Sequence, residues 1–394
     1  MNIVNIKNFQ NILNNNIKNI NNKIIKRERK IDFRHILYGS IYKSVNNTSF
    51  DTVTYQINKI FIDKNVDKTI TKTSFIKKKN NIDPKYFLEI NNSIIDYIYK
   101  KIKKPRIIGV DGSFLNLHKN FNEYGYEYAS DNKNYCKAII SCIYDIENKI
   151  PINYYLFKQR NERDAFKQQI KYLRKGDIVI FDRGYFSYDI IDILNNKGIN
   201  YIFRLKNNKK EVTHLINNNL KEYIFKYKNI DNKVVHYNID DLSEDYYLYT
   251  NLIHKSIDEL KDLYWKRWCI ETHFKESKYN LALNNINLKT DISLQQEIYI
   301  HNLIFILYYF FNFENTCIIK NKYKLNNKTG IKIFSEDILY LFIFNKLTKS
   351  CFEKIKKFHN LMLMSVIYIP QSKKRYERKR LRPYGKWYFN KNKI

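Results

Sequence analysis

The chain has 394 residues and carries 70 Lys and Arg against 39 Asp and Glu, so its formal net charge is +31. Its content of 44% apolar and 16% aromatic residues is enough for a sizeable core in two or three domains, which excludes disorder throughout. A positive charge of this size favours a polyanion as the partner, and nucleic acid is the first expectation.

No stretch of the sequence reaches the roughly 20 consecutive apolar residues that a membrane span needs. The longest candidate, 298–313, contains His301 and Asn302 and therefore predicts a buried helix. Residues 1–30 lack the compact apolar stretch of a secretory signal, which predicts an intracellular protein. The cysteines have no C-x-x-C spacing, which is typical of reduced core residues rather than of a zinc site or a disulfide framework. They are Cys136, Cys142, Cys269, Cys317 and Cys351.

Residues 1–104 predict a helical region. Residues 1–31 end in a basic run at 26–30 and are interpreted as a frayed helix or a basic arm, with a solvated tail as the alternative. From Phe33 to Lys104, apolar residues recur at helical spacing. Within this stretch, 67–80 fits a helix-turn-helix and fits a surface helix of a bundle equally well.

The pattern changes after Pro105, where short β-branched runs alternate with glycines. Helical patterns follow at 164–173 and 188–196. This order of elements predicts an α/β layer fold. The predicted strands are 106–110, 136–144, 152–157, 178–181 and 201–204.

The second half of the chain adds three further segments. Residues 206–254 contain strand signals at 234–237 and 246–250 and are interpreted as a β-rich insertion. A long helical stretch is predicted from Ser256 through Leu281. The tail at 373–394 holds ten Lys or Arg interleaved with aromatic residues, which suits a nucleic-acid backbone with base stacking, although a solvated tail is the alternative.

Two of the predicted strands end in an aspartate, Asp111 and Asp182. A carboxylate at the end of a buried strand is costly to desolvate unless a positive group or a hydrogen-bond donor meets it. If the two strands are neighbours, the aspartates project from the same edge and can share Mg²⁺ or Mn²⁺. The alternative is that Asp111-Gly112 forms a turn and that Asp182 pairs with Arg183.

A helix at 264–278 suggests a third acidic ligand. At about 100° per residue, Tyr264, Arg267, Glu271 and Lys278 lie within an arc of roughly 60°, whereas Glu276 lies outside it. This arrangement favours Glu271 as the third carboxylate. A surface helix with an Arg267–Glu271 salt bridge at i,i+4 is the competing interpretation.

The run from 264 to 278 has the spacing Y-x2-R-x3-E-x6-K and resembles the signature of IS4-family transposases. Val110-Asp111-Gly112-Ser113 resembles the first aspartate motif of that family, and Asp182-Arg183-Gly184-Tyr185 resembles the second. The interval of 89 residues between Asp182 and Glu271 is similar to that of members with a β-domain before the glutamate. The resemblance covers about residues 34–320.

The resemblance implies an α/β fold with an RNase H-like catalytic core, a β-rich insertion and a preceding helical DNA-binding domain. Asp111, Asp182 and Glu271 would form a DDE triad that holds two Mg²⁺ or Mn²⁺ ions. The domains expected are 1–104, helical and DNA-binding with a basic arm; 105–205, the first part of the core; 206–254, the insertion; 255–320, the catalytic and closing helices; and 321–394, a helical C-terminal region with the basic tail.

The DNA contacts expected beside the triad are Tyr264, Arg267, Lys278 and Arg183, which would hold phosphates. Related transposases use an aromatic residue of the insertion to hold a flipped base. Residues 206–254 contain no Trp, so Tyr223, Phe225 or Tyr237 are the candidates for that role.

The function expected is a cut-and-paste DNA transposase that acts as a homodimer on element ends and target DNA. Two alternatives stay open from the sequence. One is a DNA-binding protein that derives from a transposase and no longer cuts, and the other is an RNase H-like metal-dependent nuclease.

Overall fold

The structure is a computed structural model. It describes residues 3–24, 31–102, 104–131, 133–239, 244–283, 288–313 and 323–368. The basic run at 26–30, Cys317 and the tail at 373–394 lie outside these ranges. Among the helices in these ranges, none is long and apolar enough to cross a membrane.

Most of the described chain is helical, and two 3₁₀ turns (Lys119–Tyr124 and Ile170–Tyr172) and a π-helical turn (Phe334–Ile338) accompany the α-helices. The α-helices are α1 (Ile3–Ile24), α2 (Phe33–Asn46), α3 (Phe50–Asp63), α4 (Lys72–Asn80), α5 (Lys85–Lys101), α6 (Glu162–Lys167), α7 (Tyr188–Asn196), α8 (Lys210–Asn217), α9 (Ile257–Trp265), α10 (Trp268–Asn280), α11 (Asp291–Phe313), α12 (Asn327–Ile333), α13 (Leu339–Phe344) and α14 (Lys349–Met364).

The strands form one large mixed sheet and a small antiparallel pair, β10 with β11. They are β1 (Ile107–His118), β2 (Glu127–Tyr128), β3 (Tyr135–Asp145), β4 (Ile150–Phe157), β5 (Ile178–Phe181), β6 (Asn200–Arg204), β7 (Glu222–Tyr227), β8 (Ile230–Ile239), β9 (Glu244–Thr250), β10 (Tyr323–Leu325) and β11 (Val366–Tyr368).

Five strands form the centre of the large sheet, in the order β4-β3-β1-β5-β6. β1 pairs antiparallel with β3 and parallel with β5, and β5 pairs parallel with β6. All five strands were predicted, and the α/β class with an RNase H-like core is confirmed. β1 extends eight residues beyond Val110 because its second half alternates buried and exposed side chains from Ser113 onward.

Residues 206–254 continue the central sheet. β9 pairs antiparallel with β6, β8 pairs with β9, and β7 pairs with β8 at the edge. The sequence predicted β8 and β9 but not β7 or α8. The β-rich segment therefore shares its backbone hydrogen bonds with the core.

Helices cover both faces of the sheet. α9 and α10 pack on one face, where Leu260 and Ile270 are buried together with Ile180 and Ile202. The other face carries Val179 and belongs to a cluster that includes both the N-terminal helices and α11–α14. The predicted buried helix at 298–313 forms most of α11, and it contributes residues to both clusters.

α1 is a packed helix, so the prediction of a frayed helix or a solvated tail for residues 1–31 is wrong over 3–24. One face of α1 is buried, and Phe9 lies 5.4 Å from Phe310 and 5.0 Å from Phe342 between ring centroids. The many Asn and Lys residues of α1 hid this apolar stripe in the sequence. The buried stripe consists of Ile6, Phe9, Leu13, Ile17 and Ile20.

Packing also bears on α4 and on the cysteines. Lys79 of α4 is 1% exposed and its Nζ donates to Gln296 Oε1 at 2.7 Å, so α4 is packed on α11 at this lysine. Both interpretations of 67–80 stay predictions. Cys136, Cys142 and Cys351 are buried free thiols, as predicted, but Cys269 is exposed on α10, where the prediction of a core residue is wrong.

Candidate active site

The strand register places the two aspartates side by side. Gly109 of β1 is paired with Ile180 of β5, and Asp111 and Asp182 each follow two residues later. Asp111 lies inside β1, opposite Cys142, rather than at the end of the strand as predicted. Its parallel neighbour β5 ends at Phe181, so the edge opens beside Asp111. Both carboxylates are half-buried.

Glu271 comes from the helices that cover this edge, which are not the single helix that was predicted. α9 ends at Trp265 and α10 starts at Trp268. Between them the backbone bonds run from residue i to i−3, with Arg267 N–H donating to the Tyr264 carbonyl at 3.0 Å. Because such a turn has about three residues rather than 3.6, the phase calculated for one continuous helix does not hold across it.

Two side chains of the signature nevertheless form hydrogen bonds with the predicted carboxylates. The Tyr264 hydroxyl donates to Asp182 Oδ1 at 3.3 Å, and Arg267 Nη2 donates to Glu271 Oε1 at 2.7 Å. α9 is started by a reciprocal capping box between Ser256 and Glu259, which fixes where Tyr264 points.

The Arg267–Glu271 pair is not a surface salt bridge. Arg267 is only 5% exposed. Burial by itself lowers the pKa of Arg267, but the charges of Tyr264, Asp182 and Glu271 raise it above the usual range. The interpretation of a solvent-facing helix is therefore wrong for this face of α10.

The other polar residues of α10 point elsewhere. Glu276 accepts hydrogen bonds from the Tyr309 hydroxyl at 3.0 Å and from Asn327 Nδ2 at 2.9 Å, so it belongs to the packing of α11 and α12. His273 is buried, with Nε2 2.6 Å from the Tyr154 hydroxyl and its ring 4.6 Å from that of Tyr144, so it packs against the sheet.

Negative charge is concentrated around Asp111. Burial raises the pKa of Asp111 to about 7; the Gly112 N–H and Arg267 act against that rise, whereas the charges of Glu162 and Glu271 add to it. The Gly112 N–H donates to Asp111 Oδ1 at 2.9 Å. A cation at this place would relieve the repulsion.

The donor chemistry fits a hard divalent cation, since all three predicted ligands are carboxylates. In the described ranges, however, no three His, Cys, Asp or Glu side chains are close enough to share one ion. Instead, each carboxylate accepts a hydrogen bond from the protein. Asp111 accepts one from the Gly112 N–H, Asp182 from the Tyr264 hydroxyl and Glu271 from Arg267 Nη2.

The two remaining predicted DNA contacts lie beside this group. Arg183 is exposed directly after Asp182, and Lys278 is half-buried on α10. Seven residues separate Lys278 from Glu271, which is about two helical turns, so both lie on one face of α10.

Exposed aromatic residues near the site were missed by the sequence analysis. Trp265 and Trp268 are 36% and 37% exposed, and their rings stack with centroids 6.3 Å apart. The tight turn at Arg267 places Trp268 on the exposed side of α10. By contrast, Tyr237 is 7% exposed and stacks on Tyr246.

The other two aromatic candidates, Tyr223 and Phe225, are half-buried and stack on each other at 5.3 Å. Glu162 was also missed, although its charge acts on both aspartates. The sequence contains only one sign that a further side chain approaches the aspartates, which is the glycine shortly after each of them, Gly112 and Gly184.

The structure thus combines a mixed α/β sheet with acidic side chains at the edge of its parallel strands. The sequence profile described as Transposase DDE domain matches residues 102–307, which is more than half of the chain. The chain belongs to this family and is a DNA transposase, and DDE transposases use divalent metal ions.

Two further comparisons complete these findings. No curated protein matches the sequence. Among solved structures, the cryo-EM structure of a piggyBac transposase synaptic complex with hairpin DNA is similar, with a TM-score of 0.45 and 13% identity over 87% of this chain and 81% of that chain.

Proposed function

We propose that this transposase belongs to the IS4 group and moves DNA by a cut-and-paste reaction that uses Asp111, Asp182 and Glu271 as its catalytic carboxylates. The observation that carries the proposal is the strand register, which sets Asp111 beside Asp182 while the charge of Glu271 acts on Asp111. The Y-x2-R-x3-E-x6-K spacing supports the assignment to the IS4 group.

In this proposal Asp111, Asp182 and Glu271 would hold two Mg²⁺ or Mn²⁺ ions. Two bound divalent ions supply an activated water or 3′-hydroxyl and neutralise charge on the scissile phosphate. To bind an ion, Glu271 would give up its hydrogen bond from Arg267. Tyr264 orients Asp182 through the hydrogen bond from its hydroxyl.

DNA phosphates are held by Tyr264, Arg267, Lys278 and Arg183. Arg267 suits this role because its Nε is buried and has no hydrogen-bond partner among the described residues, while Nη2 faces Glu271. A guanidinium can therefore bridge the carboxylate and a phosphate.

The exposed pair Trp265 and Trp268 is a better stacking surface for an unpaired base than Tyr223, Phe225 or Tyr237. Base stacking needs an accessible ring, and Trp265 and Trp268 are 36% and 37% exposed, with the Arg267 guanidinium 5.7 Å from the centroid of the Trp268 ring.

The wider organisation is part of the same proposal. Residues 1–104 bind DNA, 105–205 and 255–320 form the catalytic core around the insertion at 206–254, and 321–394 add helices and the basic tail. The active form is a homodimer, because two element ends must be held together for joining.

The test is a strand-transfer assay with Mg²⁺, a labelled DNA that carries the inverted repeats flanking the gene, and a supercoiled target plasmid. We expect Asp111→Asn, Asp182→Asn and Glu271→Gln each to reduce cutting and joining to background while end binding persists. Asp262→Asn, at an exposed carboxylate of α9, is the matched control and should retain activity.

The outcomes separate the alternatives. Wild-type cleavage by any of the three variants removes that residue from the site. Cutting without joining by the wild-type protein would favour a metal-dependent nuclease, and binding without cutting would favour a DNA-binding protein that derives from a transposase.

A further inference from the structure

Glu162 is a fourth carboxylate at the candidate site. It is the first residue of α6, which follows β4, and its side chain is half-buried. Its position is fixed by its neighbours: Asn161 caps α6 through its side chain, and Arg163 Nε donates to the Gly184 carbonyl at 2.8 Å. The start of α6 is thus attached to the second aspartate motif.

The carboxylate of Glu162 fills the space beside the glycines of both motifs. A Cβ on Gly112 would lie 3.0 Å from Glu162 Oε1 and 3.2 Å from its Cγ, and a Cβ on Gly184 would lie 3.7 Å from Oε2. Neither glycine has the positive φ that would itself require glycine. The space at position 112 is therefore needed for Glu162 rather than for the backbone conformation.

The charge of Glu162 adds to that of the aspartates. Burial and the charge of Asp182 raise the pKa of Glu162 above its usual value. Among the described residues, no Lys or Arg forms an ion pair with Glu162. A half-buried carboxylate without a positively charged partner is stabilised by a bound cation.

Tyr185 has a buried hydroxyl beside the same carboxylates. It is 1% exposed, and its hydroxyl has no hydrogen-bond partner in the described part of the chain. Burial raises the pKa of Tyr185, and the charges of Glu162, Asp111 and Asp182 raise it further, so the hydroxyl lies near all three carboxylates. A buried hydroxyl is rarely left unpaired unless a water or an ion completes its environment.

We propose that Glu162 is a fourth acidic ligand of the divalent-ion site, and that Gly112 is a glycine because it leaves room for the Glu162 carboxylate. The inference rests on the proposed function, since it assumes that Asp111 and Asp182 bind metal. It adds a ligand from α6, an element that lies outside the three signature motifs.

The test is a titration of the full-length protein with Mn²⁺. Binding is measured by calorimetry and by the electron paramagnetic resonance signal of free Mn²⁺. We expect Glu162→Gln to weaken Mn²⁺ binding by about tenfold or more. Asp164→Asn is the matched control, because Asp164 lies in the same first turn of α6 but is not among the atoms nearest Gly112 or Gly184. Its Mn²⁺ affinity should match that of the wild-type protein.

Asp111→Asn separates failure of this inference from failure of the proposed site. If Asp111→Asn abolishes binding while Glu162→Gln behaves like Asp164→Asn, the site stands and the role of Glu162 is refuted. If Asp111→Asn binds Mn²⁺ as the wild-type protein does, the proposed site is wrong and the assignment of Glu162 falls with it.

A double-mutant cycle tests the role of Gly112. Gly112→Ala should weaken Mn²⁺ binding because it displaces the Glu162 side chain. In a protein that already carries Glu162→Ala, Gly112→Ala should reduce the Mn²⁺ affinity no further. Equal losses in both backgrounds would refute the proposed contact. Thermal unfolding of each variant shows whether the fold is retained, so that a loss of affinity can be assigned to the site.

Discussion

At the scale of single residues, Arg267 illustrates how one side chain is used for several purposes at the site. It is buried, donates to Glu271, and its charge acts on Asp111. Its guanidinium can present several N–H groups at once in a fixed plane, which an ammonium group cannot do. The site should therefore depend on the shape of this side chain as well as on its charge.

We expect Arg267→Lys to lose most strand cleavage although the positive charge is kept, because a lysine cannot contact Glu271 and a phosphate in one plane. Gel analysis of cut and joined DNA measures the effect. Lys266→Arg, at an exposed neighbour that pairs with Glu147, is the control and should remain active. Wild-type cleavage by Arg267→Lys would show that charge alone is sufficient.

Residues such as Asp111 and Asp182 could be predicted from the sequence because each follows a run of apolar residues, where a carboxylate stands out. Glu162 could not, since it lies among Arg160, Asn161 and Arg163 in a polar run that looks like any solvated turn. Only the tertiary fold brings it to the aspartates. The exposure of Trp268 could not be predicted either, because a single tight turn changes the helical phase between α9 and α10.

At the scale of secondary-structure elements, close packing between helices sets the tolerance to substitution. α2 crosses α3 and α4 at Gly39, where a Cβ would lie 2.8 Å from both Phe75 Cζ and Val53 Cγ1. Alanine normally stabilises a helix interior relative to glycine by about 0.5–1 kcal/mol. Here the added methyl group meets side chains that are fully buried.

We therefore expect Gly39→Ala to destabilise the protein by about 1–3 kcal/mol, because overpacking outweighs the gain in helix propensity. Urea denaturation followed by circular dichroism measures the change. Asn46→Ala, at a half-buried position on the same helix, should change the free energy of unfolding by less than about 0.5 kcal/mol. An unchanged or stabilised Gly39→Ala variant would contradict this description of the contact.

A second inter-element contact ties the start of β1 to the turn before β5. Arg106 Nε and Nη2 donate to the Asp177 carboxylate at 2.9 and 2.5 Å, and Arg106 lies 4.7 Å from the ring centroid of Tyr99 on α5. Both charged side chains are 3% exposed. This pair holds the parallel strands that carry the aspartates.

Asp177→Ala should cost about 3–5 kcal/mol in the free energy of unfolding, because it leaves the Arg106 charge buried without a partner. Replacement of both partners, as Arg106→Met with Asp177→Leu, should recover most of that loss. Chemical denaturation of the two variants provides the comparison. If the double variant is no more stable than Asp177→Ala, removal of the buried charge is not the cause of the loss.

At the scale of the whole molecule, buried histidines couple stability to pH. Burial lowers the pKa of His301 to about 4, despite Glu297 at 3.8 Å, and burial likewise lowers the pKa of His359 to about 4. The unfolded chain, with a usual histidine pKa near 6.5, binds these protons first as the pH falls. Stability should therefore decline as the pH falls from 6.5 towards 4.

Each histidine contributes up to about 1.4 kcal/mol per pH unit to this decline. We expect His301→Asn to reduce the slope of the free energy of unfolding against pH by that amount within the window. Denaturation at a series of pH values measures the slope separately from any constant loss of stability. A slope equal to that of the wild-type protein would show that His301 can bind a proton in the folded state.

The long-range architecture was the least predictable part of the fold. The sequence reports local periodicity, so β5 and α7 were predicted with their bounds as the structure has them. It does not report that Gln10 Nε2 donates to the Phe342 carbonyl at 3.0 Å across more than three hundred residues. Nor does it report that β9 joins β6, since strand pairing depends on partners that only folding brings together.

The packing of α1 against α13 has a consequence for folding during synthesis, because α1 is made long before α13. α1 leaves the ribosome early, but Phe342, which covers Phe9, follows more than three hundred residues later. At translation rates of 5–20 residues per second this delay is roughly 15–70 s, during which the apolar stripe of α1 lacks its final partner. A product truncated before α13 would lack the ring of Phe342 over Phe9, so a frameshift late in the gene should yield an aggregation-prone chain rather than a shortened enzyme.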